Sequence, residues 1–381
     1  MIEITKPKQL EKFVYDSLNS DILCLDTEFI RENTYRPELC LIQAQTRDET
    51  YLIDPFCFDS LDILSKVLLA ENVVKVFHAC GQDIEILYNT VGVLPKNIFD
   101  VQIASTIING LNQPSLGNLL AASLDVHIEK SESFTDWSKR PLTPAQLKYA
   151  VEDVLYLPEL YDYQISQLKK LGRERWLDDD FAALLDEKKY EVEAHEQYKH
   201  LKHVNRLGGF ELKLARDVCA WRERRAETLN CPRRHVMSDE QVIEIAKRNP
   251  HSLDDLLNIR GIDSVLNISE MREILSILSD ARKKPNIELL LDLKQADSGK
   301  NIDALIDGMN AIIKVRAHEY GISPAVFTKN SDLSLVARGL SRKAEVCKGW
   351  RGELVGGDLL DFLAGKIELK VENGKLRIER R

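Results

Sequence analysis

Two carboxylates in the stretch LCLDTEF are spaced so that they could hold a metal ion. Apolar residues from Ile22 to Leu25 predict a buried strand, and that strand ends in Asp26 and Glu28. Side chains two apart on a strand share one face, so these carboxylates lie roughly 6–7 Å apart along the chain. Neighbouring anions repel unless a cation lies between them, and a hard divalent metal suits such oxygen ligands. The alternative is a strand that merely enters a solvated loop.

A third carboxylate, Asp83, follows the predicted buried strand 73–79 and begins the predicted helix 83–91. In that position Asp83 could simply cap the helix N-terminus, a role that Asp100 also offers before the predicted helix 101–109. We favour Asp83 as a site residue because it follows the end of a strand, where open α/β sheets place their sites.

The stretch TPAQLKYAVEDVLYL, residues 143–157, is a well-marked helix. Thr143 and Gln146 predict a capping box, and a proline occupies the first helical position. Tyr149 and Asp153 are four residues apart and are therefore neighbours on the polar face. That face could present functional groups, or it could simply face solvent.

The elements that must position these side chains indicate an α/β domain. Strands at 22–28, 38–46 and 50–55 have short connections, which suggests an antiparallel meander. Later segments alternate strands with helices, which favours a mixed sheet covered by helices. Further helices are predicted at 61–69 and 115–124.

The second half of the chain is predicted to be helical. A highly charged run from 160 to 203 indicates a helical linker. Two similar helical sets follow, each with a long helix, a proline-containing turn, a Ser-Asp pair and another helix, which suggests a duplicated small domain. The helices predicted for the second set include Leu289–Leu293, Ile302–His318, Leu333–Ala337 and Leu359–Leu363.

Composition excludes several classes of protein. A chain of 381 residues predicts two to four domains. The first ten residues lack a signal-peptide core, and no run of about 18 apolar residues could span a bilayer. Seven scattered cysteines without a C-x-x-C pair fit reduced thiols. We therefore predict a cytoplasmic protein without membrane association, and we favour a monomer.

The net charge of −9 is distributed unevenly. Residues 1–200 hold 20 basic and 34 acidic residues, which gives −14, whereas 201–381 hold 32 and 27, which gives +5. This asymmetry suggests an acidic, metal-binding first part and a second part that could contact phosphates. Charges that only solvate helices would give the same counts.

Three motifs together resemble a known superfamily. LDTEF, HACGQDIEIL and YAVEDVLYL resemble, in order, the three exonuclease motifs of the DEDD superfamily, and Tyr149 four residues before Asp153 matches its tyrosine branch. The segment 130–143 resembles the equivalent segment of ribonuclease D. Residues 214–250 resemble an HRDC domain, the helical module shared by RecQ-type helicases and ribonuclease D, and 287–381 resemble its second, more divergent repeat.

The resemblance implies a multidomain protein with an N-terminal α/β, RNase H-like exonuclease domain and two all-α HRDC-like domains. We expect the exonuclease domain at 1–170, the charged linker at 171–205, the first HRDC domain at 206–286 and the second at 287–381. The activity implied is that of a 3′–5′ exoribonuclease that releases nucleoside 5′-monophosphates and trims structured RNA, especially tRNA precursors.

The resemblance also implies residue roles. Asp26, Glu28, Asp83 and Asp153 would be ligands of two divalent ions, for which Mg²⁺ or Mn²⁺ fits better than Zn²⁺. Tyr149 would orient the attacking water.

Other side chains are candidates for contacts with the RNA. Phe29 could stack on the terminal base, or it could be a core aromatic. His78 and Gln82 are further candidates, although a hydrogen-bonded strand-end histidine is an ordinary feature. Trp137 and Arg140 are expected to anchor the rim of the site.

Arginines of the first helical domain could hold the RNA body, or they could instead pair with the acidic linker. They are Arg222, Arg224, Arg225, Arg233 and Arg234.

Two alternatives to an exoribonuclease share these features. A proofreading-like DNA exonuclease would use the same metal chemistry, and the 2′-OH separates the two substrates. A non-catalytic nucleic-acid scaffold is the other alternative, and the four carboxylates argue against it because unsupported acids around one cleft are costly to retain.

Overall fold

A computed structural model describes residues 1–128, 135–286, 301–328 and 330–381. The predicted helix at Leu289–Leu293 and residues 130–134 of the segment 130–143 lie outside these ranges. The chain forms two compact units. The first unit comprises Met1–Glu28 and the described parts of Cys40–Asp186 and Asp292–Arg381. The second comprises Phe29–Leu39 and the described part of Glu187–Leu291.

Eight strands lie in the described residues. They are β1 (Ile2–Ile4), β2 (Ile22–Ile30), β3 (Glu38–Gln45), β4 (Thr50–Ile53), β5 (Val74–Phe77), β6 (Ile98–Asp100), β7 (Ile367–Glu372) and β8 (Lys375–Arg380).

The α-helices of the described residues are numbered in chain order. They are α1 (Pro7–Leu18), α2 (Ser65–Leu68), α3 (Gly81–Val91), α4 (Val101–Ile108), α5 (Leu116–Leu124), α6 (Pro144–Leu155), α7 (Leu157–Leu171), α8 (Asp178–Leu184), α9 (Gly209–Thr228), α10 (Arg233–Val236), α11 (Asp239–Arg248), α12 (Leu253–Leu257), α13 (Ile262–Val265), α14 (Ile268–Lys283), α15 (Ile302–Tyr320), α16 (Asn330–Ala337), α17 (Gly349–Arg351) and α18 (Gly357–Leu363).

The first unit is built on a six-stranded mixed sheet in the order β1-β4-β3-β2-β5-β6. The strand β2 is parallel to β5, which is parallel to β6, whereas β3 and β4 are antiparallel. The strand β6 was not predicted, because three residues are too few to show a periodicity of two. The strand β2, which contains Asp26 and Glu28, therefore lies in the middle of the sheet, between β3 and β5.

The C-terminal helices share a hydrophobic core with the N-terminal part of this unit. Buried residues of α15 to α18 and of α4, α5 and α7 belong to one cluster. Trp176 stacks on Trp350 with ring centroids 4.7 Å apart. Nη2 of Arg351 donates to both carboxylate oxygens of Asp180, at 2.8 and 2.9 Å. These contacts join the two parts of the first unit, which lie far apart in the sequence.

The C-terminal region is not all-α, and in this the sequence interpretation was wrong. Strands β7 and β8 form an antiparallel hairpin. Its turn contains Asn373 at φ 51° and Gly374 at φ 75°, the left-handed pair that a two-residue hairpin turn requires. The Asn-Gly pair between two alternating segments is a strong hairpin signal that was available in the sequence.

In the second unit, the long helix α9 packs against α11 and α14 around one hydrophobic core. The segment Phe29–Leu39 belongs to this unit as well. The hydroxyl of Tyr35 donates a hydrogen bond of 2.6 Å to Oε1 of Glu223, a buried residue of α9. Arg36 makes an ion pair with Glu227 at 3.1 Å. The segment between β2 and β3 is thus anchored on α9.

Candidate active site

Three of the four carboxylates predicted as metal ligands lie together. Asp26 and Glu28 lie within β2, which continues to Ile30 and so extends beyond the predicted end of this strand, and Asp153 comes from α6. One oxygen from each of them lies within 4.8 Å of the others. All three side chains are partly buried. Residues separated by more than one hundred positions in the chain thus form one cluster of oxygen atoms.

Asp83 lies in the first turn of α3 and is buried. It is not a member of the closest group of three. The hydroxyl of Thr27 donates a hydrogen bond of 2.5 Å to Oδ1 of Asp83, so the residue between Asp26 and Glu28 holds the fourth carboxylate. Thr27 was not predicted as a site residue. The contact joins residues 56 positions apart in the chain, and local periodicity gives no signal for such a pair.

Asp100, the rejected alternative to Asp83, has structural partners. Its carboxylate accepts hydrogen bonds from the backbone N–H of Gln102 and Ile103 and so caps α4. It also accepts one of 2.8 Å from the backbone N–H of Cys80. Asp100 therefore caps α4 and also links the start of that helix to Cys80, the residue directly before α3.

Burial and mutual repulsion raise the pKa values of the carboxyl groups in this cluster. Burial, with the charges of Asp83, Asp153 and Glu28, raises the pKa of Asp26 well above its usual range. Burial and the charges of Asp153 and Asp83 raise the pKa of Glu28 to about 8. Burial raises the pKa of Asp83 to about 6, against the hydrogen bond from Thr27. A divalent cation would relieve this repulsion.

The donor set fits a hard divalent metal. The clustered atoms are all carboxylate oxygens, without a sulfur or imidazole ligand, and oxygen ligands are those that Mg²⁺ and Mn²⁺ prefer. Within the described ranges, neither Asp26 nor Glu28 forms an ion pair with a lysine or arginine. The carboxyl oxygens of Asp26 and Glu28 are therefore available to a cation.

Tyr149 projects from the same helix as Asp153, one turn earlier. Its ring packs against Trp137, with ring centroids 6.0 Å apart and an interplanar angle of 46°. The capping box of Thr143 and Gln146 is present and fixes the start of α6 as predicted. Both candidate functional groups of α6 are only partly exposed, so the polar face of this helix is not simply a solvent-facing surface.

Comparisons with known proteins match both parts of the chain. A family model described as 3′–5′ exonuclease matches residues 1–169, and the HRDC domain model matches residues 211–278. Ribonuclease D of Bartonella henselae is 36% identical over 376 residues, which cover 98% of this chain and 92% of that protein. Ribonuclease D of Sphingobium indicum is 32% identical over 381 residues, covering 99% and 98%. The chain belongs to the ribonuclease D family.

A solved structure shows the same fold. The crystal structure of Escherichia coli RNase D, an exoribonuclease involved in structured RNA processing, matches this chain with a TM-score of 0.83. The two proteins are 24% identical, with 96% of this chain and 98% of that chain covered. The predictions of a ribonuclease D-type 3′–5′ exoribonuclease, of an exonuclease domain with a mixed sheet and of an HRDC domain are confirmed.

The candidate RNA contacts around the acidic cluster have different surroundings. Phe29 lies near the end of β2 and is partly buried, whereas Gln82 is exposed at the start of α3. A ring nitrogen of His78, Nε2, lies 3.0 Å from the carbonyl oxygen of Pro114. His78 therefore has a backbone partner, as expected for a strand-end histidine.

The arginines predicted to hold the RNA body fall into two groups. Arg222 is buried, and its guanidinium donates to the carbonyl of Met237 and to Asp239. An RNA contact would require these hydrogen bonds to break. Arg225 pairs with Glu270 at 2.7 Å. The exposed members of the set are Arg224, Arg233 and Arg234.

None of the helices in the described part of this ribonuclease D family member combines the length and the apolarity that a membrane crossing requires.

Proposed function

We propose that Asp26, Glu28, Asp83 and Asp153 hold two divalent ions, Mg²⁺ or Mn²⁺, and that this site hydrolyses RNA from its 3′ end. The observation that carries the proposal is the group of three carboxylate oxygens within 4.8 Å of one another, contributed by β2 and α6. The raised pKa values of Asp26 and Glu28 are consistent with this proposal, because burial and the neighbouring carboxylates disfavour their ionised forms and a bound divalent cation would favour them.

The chain's own residues would divide the work. Bound metal ions would lower the pKa of a water and stabilise charge on the leaving 3′ oxygen. Tyr149 would donate or accept a hydrogen bond that orients the attacking water, because it lies one helical turn from Asp153. Thr27 would keep Asp83 in place through its hydrogen bond. The products would be nucleoside 5′-monophosphates.

Replacing Asp26 by Asn tests the site. We expect this variant to fold and to lose metal-dependent hydrolysis of a 3′-hydroxyl RNA oligomer by a factor of at least about 10², because a neutral amide is a weaker ligand of a hard cation. The control is Glu11→Gln, an exposed acid of α1, for which the parental rate is expected. Parental activity in Asp26→Asn would remove Asp26 from the site.

The proposed substrate is RNA with a free 3′ end, and tRNA precursors are the proposed physiological class. The DNA exonuclease alternative is tested by RNA and DNA oligomers of one sequence under identical conditions, since only the RNA presents a 2′-OH. Stepwise release of mononucleotides from RNA alone is expected. Equal rates on both would favour an enzyme that does not distinguish the sugar.

We also propose a second HRDC-like domain after the first. The chain passes from α15 through a turn that contains Pro324 to α16, much as it passes from α9 through Pro232 to α11. The division into 1–170, 171–205, 206–286 and 287–381 stays a prediction, as do the cytoplasmic location and the monomeric state.

The first HRDC domain is proposed to hold the RNA body through exposed arginines. Arg224 and Arg234 form no ion pair within the described ranges, unlike Arg222 and Arg225. The double variant Arg224→Gln, Arg234→Gln should weaken RNA binding and reduce its salt dependence. If the double variant bound RNA with the parental affinity and the parental dependence on salt concentration, this part of the proposal would be wrong.

A further inference from the structure

The loop that precedes α6 is held by one guanidinium group. Arg140 donates from Nε and Nη2 to the two carboxylate oxygens of Asp54, at 2.6 and 2.9 Å. Its Nη2 also donates to the carbonyl of Cys40 at 2.6 Å. Its Nη1 donates to the carbonyls of Trp137 at 2.8 Å and Lys139 at 2.9 Å.

These contacts use every hydrogen-bond donor of the side chain. A guanidinium has five N–H donors in a fixed planar fork, and Arg140 directs them to five acceptors. One face of the group also lies over Phe56, with its Cζ 4.8 Å from the ring centroid. A lysine has three donors and no planar fork, so it cannot reproduce this arrangement.

The acceptors lie on two different parts of the fold. Cys40 belongs to β3, and Asp54 directly follows β4, where its Oδ1 also accepts from the backbone N–H of Phe56 at 3.1 Å. Trp137 and Lys139 belong to the loop itself. Arg140 therefore fastens the loop to the central sheet, which is the same sheet that carries Asp26 and Glu28.

The fastened loop continues directly into the candidate active site. Trp137 is 2% exposed, and its indole packs against the ring of Tyr149. The side chain of Gln146 in α6 donates to Thr135 Oγ1 at 3.3 Å and to the carbonyl of Asp136 at 3.4 Å. The first turns of α6 and the loop before it thus form one hydrogen-bonded body.

We propose that Arg140 is a positioning residue for hydrolysis: through Trp137 it fixes where the Tyr149 hydroxyl lies relative to the carboxylates of the sheet. The inference rests on the proposed role of Tyr149. A catalytic group displaced by about 1 Å can lose about 10² in rate. Because Arg140 joins the sheet to the α6 loop, its loss would shift Tyr149 relative to Asp26 and Glu28 without removing any of them.

The test is Arg140→Lys in the full-length protein, with kcat and KM measured separately on a 3′-hydroxyl RNA oligomer at saturating Mg²⁺. We expect kcat to fall about 10- to 100-fold, while KM changes by less than about threefold because the RNA contacts are retained. In the Tyr149→Phe background the same substitution should cost less than about threefold in kcat, since the group that it misplaces is already absent.

The matched control is Arg47→Lys. Arg47 also makes two-pronged contacts with carboxylates, those of Asp21 and Asp162, in the same unit, so its loss removes comparable ion pairs. Its kcat should stay at the parental value. Asp54→Asn weakens the same pair of hydrogen bonds by changing the acceptor, and it should show the same loss of kcat. This second variant keeps the test valid if Arg140→Lys folds poorly.

Three results would overturn the proposal. The first is a kcat within about twofold of the parent in both Arg140→Lys and Asp54→Asn, measured on folded protein. The second is a full loss for Arg140→Lys in the Tyr149→Phe background, which would mean that Arg140 acts by another route. The third is a parental kcat for Tyr149→Phe, which would refute the role of Tyr149 in the proposed function itself. The first two leave that function intact.

Discussion

The acidic cluster should make the metal-free protein lose stability as the pH rises, and this loss should depend on Glu28. Its carboxyl group has a folded-state pKa of about 8 against an ordinary value of 4.5, because of burial and the charges of Asp153 and Asp83. Between these two pH values the folded state keeps a proton that the unfolded state has released. Stability contributed by this proton is therefore complete below pH 4.5 and lost as the pH rises through 8.

The size of the effect follows from the shift. One pKa unit corresponds to about 1.4 kcal/mol, so the shift of Glu28 corresponds to at most about 5 kcal/mol of unfolding free energy. Protons shared within the cluster reduce what one residue contributes, and we expect about 2–5 kcal/mol. For a unit of this size, that difference is on the order of 10 °C in the melting temperature.

The assay is thermal unfolding of chelator-treated protein between pH 5 and 8.5, with and without Mg²⁺. The parent should melt at progressively lower temperature as the pH rises, and Glu28→Gln should show a flatter profile because the amide does not titrate. Added Mg²⁺ should stabilise the parent more at pH 8 than at pH 5, since ligands must be deprotonated to bind it.

Glu11→Gln controls for the loss of one surface acid and should follow the parent. Two outcomes would refute the reasoning. One is a metal-free parent whose melting temperature, compared with that of Glu28→Gln, stays constant or rises between pH 5 and 8.5. The other is a Mg²⁺ shift of equal size in the parent and in Glu28→Gln, because Glu28 would then be neither strained nor a ligand.

Two further predictions concern packing in each unit. Tyr35→Phe removes the hydrogen bond to buried Glu223 and should lower the free energy of unfolding, measured in urea, by about 1–3 kcal/mol. The control is Tyr15→Phe, on an exposed side chain of α1, which should leave the free energy of unfolding unchanged. Equal free energies of unfolding for the two variants would contradict the anchoring of Phe29–Leu39. Gly308→Ala would place a Cβ 2.6 Å from Cζ of Phe362 in α18. It should lower the free energy of unfolding, measured by calorimetry, by about 1–3 kcal/mol. The control is Gly357→Ala, because a Cβ added at that glycine has no atom within 4 Å. Similar losses of unfolding free energy in the two variants would argue against the packing of Gly308 on α18.

Local features of this protein could be predicted because they depend on neighbours in the chain. The capping box of Thr143 and Gln146 requires only a spacing of three residues, and it is present at the start of α6. The strand that carries Asp26 and Glu28 was recognisable from its apolar residues, although it continues to Ile30. The mixed sheet followed from the order of strands and helices, and the resemblance to the ribonuclease D family came from three short motifs.

The features that only the tertiary structure decided involve side chains distant in sequence. Nothing local shows that Thr27 binds Asp83, that five acceptors surround Arg140, or that Arg222 is buried. Nor does the sequence show that the C-terminal helices share a core with the exonuclease part. Periodicity reports which face of an element is apolar, but packing chooses the element that covers it, and polar contacts form only once that choice is made.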